Sequence, residues 1–508
     1  MTLDAVGLEV MAHAFASVAE EMGLVLVQSA LSPNIRERRD ASAALFDARG
    51  EMIAQAAHIP VHLGALADAV AAVRAAEPAP GEQFLLNDPY AGGSHLPDLT
   101  LIEAIAIDGT VGGYSVVRAH HSDVGGATPG SMPAGARELF AEGIVVPPLR
   151  FTAEVERLLL ANVRTPDVRR GDLAAQRAAV ARGADGLRAL AARYGWTELQ
   201  AAARDLIAYT ERRTRAALAP LAATGLTATD YLEGDGVSDA DIAITVRVDV
   251  KDGVLHADFT GTAAAAPGNV NCPLAVTRSA VLFVVRTLLP DDVPMNAGVQ
   301  RAVRVSAPPG CLVNARWPSA VAAGNVETSQ RIADVVFLAL ARGGLAVPAQ
   351  GQGTMNNVTL GGAGWTYYET LGGGQGGGPG GPGPSGVHVG MSNTRNTPVE
   401  VLELEFPLRV RTYALRRGSG GTGAANGGDG VIREIEVLAP AEASLLSERR
   451  RHGPRGAAGG GDATPGRNVL NGAPLGAKAA VALQAGDVLR IETPGGGAWG
   501  EPTGEGVR

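Results

Sequence analysis

The dipeptide Asp108-Gly109 separates two runs of largely apolar residues, 99–107 and 110–120. An Asp-Gly pair readily adopts the left-handed backbone that a tight two-residue turn needs. Residues 99–120 are therefore predicted to form one long antiparallel hairpin, and whatever flanks it must meet at its open end. On one side stands Asn87-Asp-Pro-Tyr-Ala-Gly-Gly-Ser-His-Leu-Pro-Asp98, and on the other His120-His-Ser-Asp123. Unbroken pairing joins Ile107 to Thr110, sets Asp98 opposite Ala119 and puts His95 level with Ser122. A bulge at Gly112-Gly113 would shift the register by one and favour Asp98 opposite His120. Either register gathers His95, Asp98, His120, His121 and Asp123 at one end.

Clustered imidazoles and carboxylates form a donor set for a divalent transition metal. His with Asp suits Mn, Fe or Zn, and suits ions that prefer oxygen alone less well. The competing reading is that these groups cap turns and bond loop backbone, as a single strand histidine usually does. Two features favour the metal. The Gly92-Gly93 loop allows close approach, and the hairpin aligns the groups. Glu37-Arg-Arg-Asp40 either adds a carboxylate or ends a helix in a salt bridge. His62, in His58-Ile-Pro-Val-His62, either reaches the same site or belongs to the start of a helix.

The hydrophobic period changes along the chain. Residues 5–31 and 62–76 carry helical spacing, the second with Leu63, Leu66, Val70 and Val73 on one face. Residues 42–58 read as a hairpin and 83–87 as a short strand. Residues 160–194 and 198–223 read as a helical pair. Over 241–259 the period falls to two, with a turn at Lys251-Asp-Gly253, and a sheet begins near Thr227. Residues 273–289 and 328–341 read as buried helices. Beyond Gln350 strands alternate with Gly-rich loops at 372–386, 418–430 and 456–466, the first expected to be flexible. The fold class is thus mixed α/β (α+β) and multidomain. Its expected parts are 1–150 with the candidate metal site, a helical 151–226, a sheet-and-helix 227–350, and a Gly-rich β part at 351–508 with a flexible tail.

Composition narrows function. The net charge of −9 and the lack of a basic stripe argue against nucleic acid. Lysine occurs only at Lys251 and Lys478, neither in a Gly-Lys-Ser/Thr context, so ATP is not expected to bind this chain alone. The two cysteines, Cys272 and Cys311, have no metal-finger spacing and fit a reducing compartment. The start lacks a basic leader, and the most apolar run, 279–289, is short and interrupted by Arg286. These features predict a cytoplasmic protein with no membrane partner. Cys272 reads as a small buried residue, and no Gly-x-Ser-x-Gly elbow is present.

Several motifs carry a resemblance. Glu37-Arg-Arg-Asp-Ala-Ser-Ala-Ala-Leu-Phe-Asp47, His58-Ile-Pro-Val-His-Leu-Gly64, Asn87-Asp-Pro-Tyr with His95-Leu-Pro-Asp98, and His120-His-Ser-Asp-Val-Gly-Gly126 are among them. Asn162-Val-Arg-Thr-Pro166, Gly324-Asn-Val-Glu-Thr-Ser-Gln330, Met391-Ser-Asn-Thr-Arg395 and Thr493-Pro-Gly-Gly-Gly-Ala-Trp-Gly500 follow in order. Together they resemble the hydantoinase B/oxoprolinase family.

The resemblance implies a hydantoinase A-type partner that binds ATP with Mg in an actin-like fold, in a heterotetramer or larger hetero-oligomer. It implies ATP-dependent opening of a cyclic amide such as hydantoin, N-methylhydantoin or 5-oxoproline. The alternatives are a subunit of an acetone- or acetophenone-type ketone carboxylase, or a structural subunit without catalysis. It places metal ligands at His95, Asp98 and His120, with Glu37 as a further candidate. Asp123 or His121 is the expected general base, and Asp88, Asn325 and Glu327 are expected substrate contacts.

Overall fold

The computed structural model describes residues 4–57, 59–62 and 64–502; His58, Leu63 and the expected tail at 503–508 lie outside the described residues. It is a mixed fold of helices and mainly antiparallel sheets.

The first helix, α1 (Ala5–Ser29), is capped by the Asp4 carboxylate, which accepts from Gly7 N at 2.7 Å. By length and apolarity it could cross a membrane, with a mean hydropathy of 1.5 in its most apolar window. Its stripe Phe15, Val18, Ala19, Met22 and Leu26 is buried in a protein core, while Val6, Val10 and Leu24 of the same helix are exposed. Each large side chain buried this way stabilises the fold by about 1.5–3 kcal/mol.

Six strands follow: β1 (Ala41–Asp47), β2 (Met52–Ala57), β3 (Gln83–Leu86), β4 (Asp98–Ile107), β5 (Thr110–His120) and β6 (Leu149–Arg150). They make one antiparallel sheet ordered β2-β1-β5-β4-β3-β6. Alternation sorts their side chains. Ala43 and Leu45 join the core with α1, while Ala44 and Phe46 pack with Leu66, Val70 and Val73 of α2 (Ala65–Ala75). A 3-10 turn, Pro60–His62, precedes α2.

The predicted helical pair is α3 (Pro166–Tyr194) and α4 (Trp196–Leu218), parted by Gly195 at φ 86°. Pro166 opens α3, where its missing N–H costs nothing. α3 lies on the same sheet face as α1.

A second sheet has order β10-β9-β8-β7, from β7 (Ala223–Glu233), β8 (Asp241–Lys251), β9 (Val254–Asp258) and β10 (Val303–Ser306). β10 runs parallel to β9. This sheet shares a core with α5 (Leu274–Thr287) and α6 (Ser329–Arg342). A π-helical turn, Gly324–Thr328, leads into α6.

The C-terminal part holds two more sheets, one containing β11 (Asn357–Gly362) and β12 (Trp365–Glu369), with Val358, Leu402, Ile435 and Leu489 among their common core. The Gly-rich segments, expected as loops and the first of them as flexible, pack on one another. Gly377 N donates to Gly497 O at 2.9 Å, Gly428 N to Gln375 O at 2.9 Å and Gly496 N to Gly428 O at 2.9 Å. A Cβ on Gly427 would sit 1.7 Å from Gly496 O. Glycine here serves close backbone approach, and freedom of the chain is not what it supplies.

Candidate metal centre

Asp98 opens β4 and His120 closes β5, and the two are direct cross-strand partners. The register steps by one between Ile105 and Ala106, leaving Gly112 without a partner. The bulge at Gly112-Gly113 therefore decides between the two registers. His95 sits on the loop before β4, which is pinned by Asn87. The Asn87 amide donates to Leu96 O at 2.7 Å and its Oδ1 accepts from Val146 N at 2.7 Å. Gly93 N donates to Asp88 O at 2.8 Å, and a Cβ on Gly93 would meet Asn87 O at 2.3 Å.

Three donor atoms converge. His95 Nε2 is 3.1 Å from Asp98 Oδ1, His120 Nδ1 is 3.3 Å from the same oxygen, and the two nitrogens are 3.2 Å apart. Two ligands at about 2.1 Å from one ion and at right angles to each other stand about 3.0 Å apart. The nearly equilateral triangle thus fits one face of a divalent metal's coordination shell. Two imidazoles and a carboxylate are three protein donors, one fewer than a closed structural site uses.

A further ring of groups orients the donors. Asp98 Oδ2 accepts from the Ser94 hydroxyl and lies 3.3 Å from His62 Nε2 and 3.5 Å from Asn325 Nδ2. His62 is itself held by Ser42 Oγ, 3.0 Å from its Nδ1. Tyr368 of β12 stacks on the His120 ring, 4.3 Å between centroids and 13° from parallel. The Arg38 guanidinium lies 4.8 Å from the Tyr368 centroid and donates to Tyr368 O at 3.0 Å and Thr370 Oγ1 at 2.7 Å. Asp40, Ile59, Met355 and Tyr368 close the space around the donors to about 10 Å³, roughly the room of a single water or ion. The ring nitrogens outside the triangle, His95 Nδ1 and His120 Nε2, are buried without a hydrogen-bond partner.

Charges reinforce one another here. Burial disfavours the Asp98 carboxylate, but His95 and His62 outweigh it and hold its pKa well below the usual carboxylate range. Burial also disfavours the His95 cation, and Asp98 overrides it, raising that pKa. For His120 burial prevails and the pKa falls.

The remaining predicted site residues are placed as follows. Asn325 joins the site, lining the same small cavity. Glu37 stays out, paired with Arg36 at 2.8 Å, and Asp40 of the same motif lines the cavity instead. His121 turns to α3, with Nε2 2.9 Å from Gln176 Oε1, and burial lowers its pKa to about 4. Asp123 is used by the loop and by Arg164. It accepts from Gly125 N at 3.0 Å, Gly130 N at 3.2 Å, Arg164 N at 3.0 Å and Arg164 Nη1 at 2.9 Å. Neither His121 nor Asp123 faces the donor triangle. Asp88 caps its own turn, accepting from Tyr90 N at 2.9 Å. Glu327 is buried apart from the triangle, accepting from Met355 N at 3.1 Å and Asn357 Nδ2 at 2.8 Å. Burial and nearby Glu448 raise its pKa to about 8. Cys272 is buried, and its pKa is pushed up to about 12.

Sequence reasoning missed Ser94, Arg38 and Tyr368. Ser94 and Arg38 lie inside motifs already singled out. Tyr368 carries no local signal, because a strand tyrosine reads as core.

A family model described as hydantoinase B/oxoprolinase matches residues 4–502. The chain is 37% identical to 5-oxoprolinase 1 of Arabidopsis thaliana over 98% of its length and 42% of that protein's. It is 34% identical to the 5-oxoprolinase of Saccharomyces cerevisiae over 99% of its length and 42% of that protein's. The chain therefore spans about two fifths of the 5-oxoprolinases it matches. Among solved structures, an ATP-dependent caprolactamase from Pseudomonas jessenii superposes with a TM-score of 0.90 at 27% identity, covering 99% of this chain and 92% of that one. An acetone carboxylase in its nucleotide-free state superposes with a TM-score of 0.86 at 16% identity, over 97% and 76%, which is a likeness of fold alone.

Proposed function

The chain belongs to the hydantoinase B/oxoprolinase family, and from that premise we propose that it is the metal-bearing unit of an ATP-dependent enzyme that opens a cyclic amide. ATP and its Mg are handled by an A-type partner. The observation that carries the reading is the triangle of His95 Nε2, Asp98 Oδ1 and His120 Nδ1, with edges of 3.1 to 3.3 Å. The relatives named for 5-oxoproline and caprolactam, both cyclic amides, favour ring opening over ketone carboxylation.

In this reading His95, Asp98 and His120 hold one divalent ion, Mn, Fe or Zn, which supplies Lewis acidity toward a substrate carbonyl. Ser94 and His62 keep the second Asp98 oxygen occupied, so the first one stays directed at the ion. Tyr368 fixes the His120 ring plane. Asn325, beside Asp98 with its Oδ1 unpartnered, is the group placed to contact a substrate amide. The low solvent exposure of the donors excludes bulk water and strengthens each electrostatic contact.

The test is co-expression with an A-type partner chain, followed by phosphate release from ATP on hydantoin, 5-oxoproline, caprolactam and, with bicarbonate, acetophenone. Release that needs both chains and a cyclic amide, and is lost in Asp98→Ala, supports the reading. Equal release from the partner without this chain would leave it a structural role. Release with the ketone alone would make it a carboxylase unit.

A further inference from the structure

A second cavity lies away from the candidate metal centre. It occupies about 640 Å³ between α5, α6 and the Gly-rich segments, and shares no lining residue with the small space around the donor triangle. That volume suits a small molecule. Its walls are apolar: Phe283, Phe337, Leu338, Leu345, Val347 and Val389. Asp334 and Arg455 also line it, together with the Gln375 amide.

A buried network of ion pairs lies behind the polar end. Asp334 Oδ2 accepts from Arg449 Nη2 at 2.9 Å, and the same Arg449 nitrogen reaches Asp230 Oδ2 at 3.2 Å. Arg331 pairs with Asp230 at 3.3 Å, and the Arg455 guanidinium stands 3.5 Å from Asp230 Oδ1. Arg331, Arg449 and Asp230 are almost wholly buried, and the Nε atoms of Arg331 and Arg449 have no hydrogen-bond partner. The network's edge toward the cavity is one carboxylate, Asp334, and one guanidinium, Arg455, whose side chain is 48% exposed. The two are linked through Arg449 and Asp230, and both line the one apolar space.

A carboxylate and a guanidinium lining one apolar cavity call for a ligand that carries both an ammonium and a carboxylate, and the apolar walls call for an uncharged chain beyond them. We propose that this cavity binds a free α-amino acid with an apolar side chain, its ammonium at Asp334 and its carboxylate at Arg455. The site is separate from the metal centre, and its test does not depend on any catalytic activity.

The experiment is isothermal titration of the purified full chain with L-phenylalanine and L-leucine, compared with phenylalaninamide and hydrocinnamate. Saturable binding of an amino acid is expected, with at least about tenfold weaker binding of each analogue. Ala341→Trp, which fills the cavity from α6, should abolish binding while the unfolding temperature is kept. Arg455→Gln should remove the preference for L-phenylalanine over its amide. Absence of saturable binding of both amino acids overturns the proposal. So does equal binding of the analogues, or unchanged binding in a folded Ala341→Trp chain.

Discussion

Asp98 faces His120 across the hairpin because Gly112 has no cross-strand partner, so the last strand residue is paired where a regular ladder would pair Ala119. The bulge is tight. A Cβ on neighbouring Gly113 would stand 2.4 Å from Phe46 O, a backbone atom of β1 that cannot swing aside. Gly113→Ala should therefore cost about 1–3 kcal/mol in denaturant unfolding. Gly109→Ala at the tip, at φ 75° with nothing within 4 Å, should cost only the backbone strain of about 1 kcal/mol. Equal losses at the two positions would show that the bulge is not close-packed.

Removing a donor should remove the ion. His95→Ala and Asp98→Ala are expected to fall from about one bound metal per chain to under about a tenth, measured by elemental analysis after gel filtration. Glu37→Ala should keep its metal, because Glu37 pairs with Arg36 outside the triangle. Stoichiometric metal in both donor variants would sink the assignment.

The roof over His120 separates two contributions. Tyr368 Oη donates to Asn357 Oδ1 at 2.9 Å, while the ring stacks on His120. Tyr368→Phe keeps the stack and should lose about 1 kcal/mol with little change in metal affinity. Tyr368→Ala opens a cavity, should lose about 3–5 kcal/mol, and should weaken metal binding by about tenfold or more. Calorimetric unfolding with a metal titration reads both. Identical metal affinities in the two variants would mean that stacking does not position His120.

Glu327 gives a pH signature. Burial first, and Glu448 second, raise its folded pKa to about 8 from the ordinary 4.5. Between those values the folded carboxyl keeps its proton and the unfolded one has lost it. Stability attributable to this group therefore falls as pH rises from about 4.5 to about 8, then levels off. Glu327→Gln should be the more stable protein at pH 8, by up to about 1.4 kcal/mol per pH unit crossed, with the gap closing toward pH 5. Parallel stability profiles for the two proteins would show that the carboxyl is ionised in the fold.

Much of this molecule was legible along the chain. The hairpin followed from Asp108-Gly109 and its flanking apolar runs. The helices at Ala5–Ser29, Pro166–Tyr194 and Trp196–Leu218 followed from their spacing. Register gathered His95, Asp98, His120, His121 and Asp123 at one end of the hairpin, because strand pairing is local geometry with a fixed period, and the family resemblance singled out His95, Asp98 and His120 among them. Periodicity could not show what the glycine-rich segments do. Their packing depends on which backbones meet, and composition alone reads as flexibility.

The sequence by itself determined the elements, the hairpin and the donors that lie within reach of its turn. Only the tertiary structure decided which donors face one another. His121, one residue past His120, turns to Gln176 on the helix behind the sheet, and Asp123 is consumed by Arg164 and loop amides. Tyr368 and Asn325 arrive at the site from distant segments. The physical reason is that a carboxylate or imidazole takes its role from partners within about 3 Å, and those partners come from packing between segments that no local pattern connects.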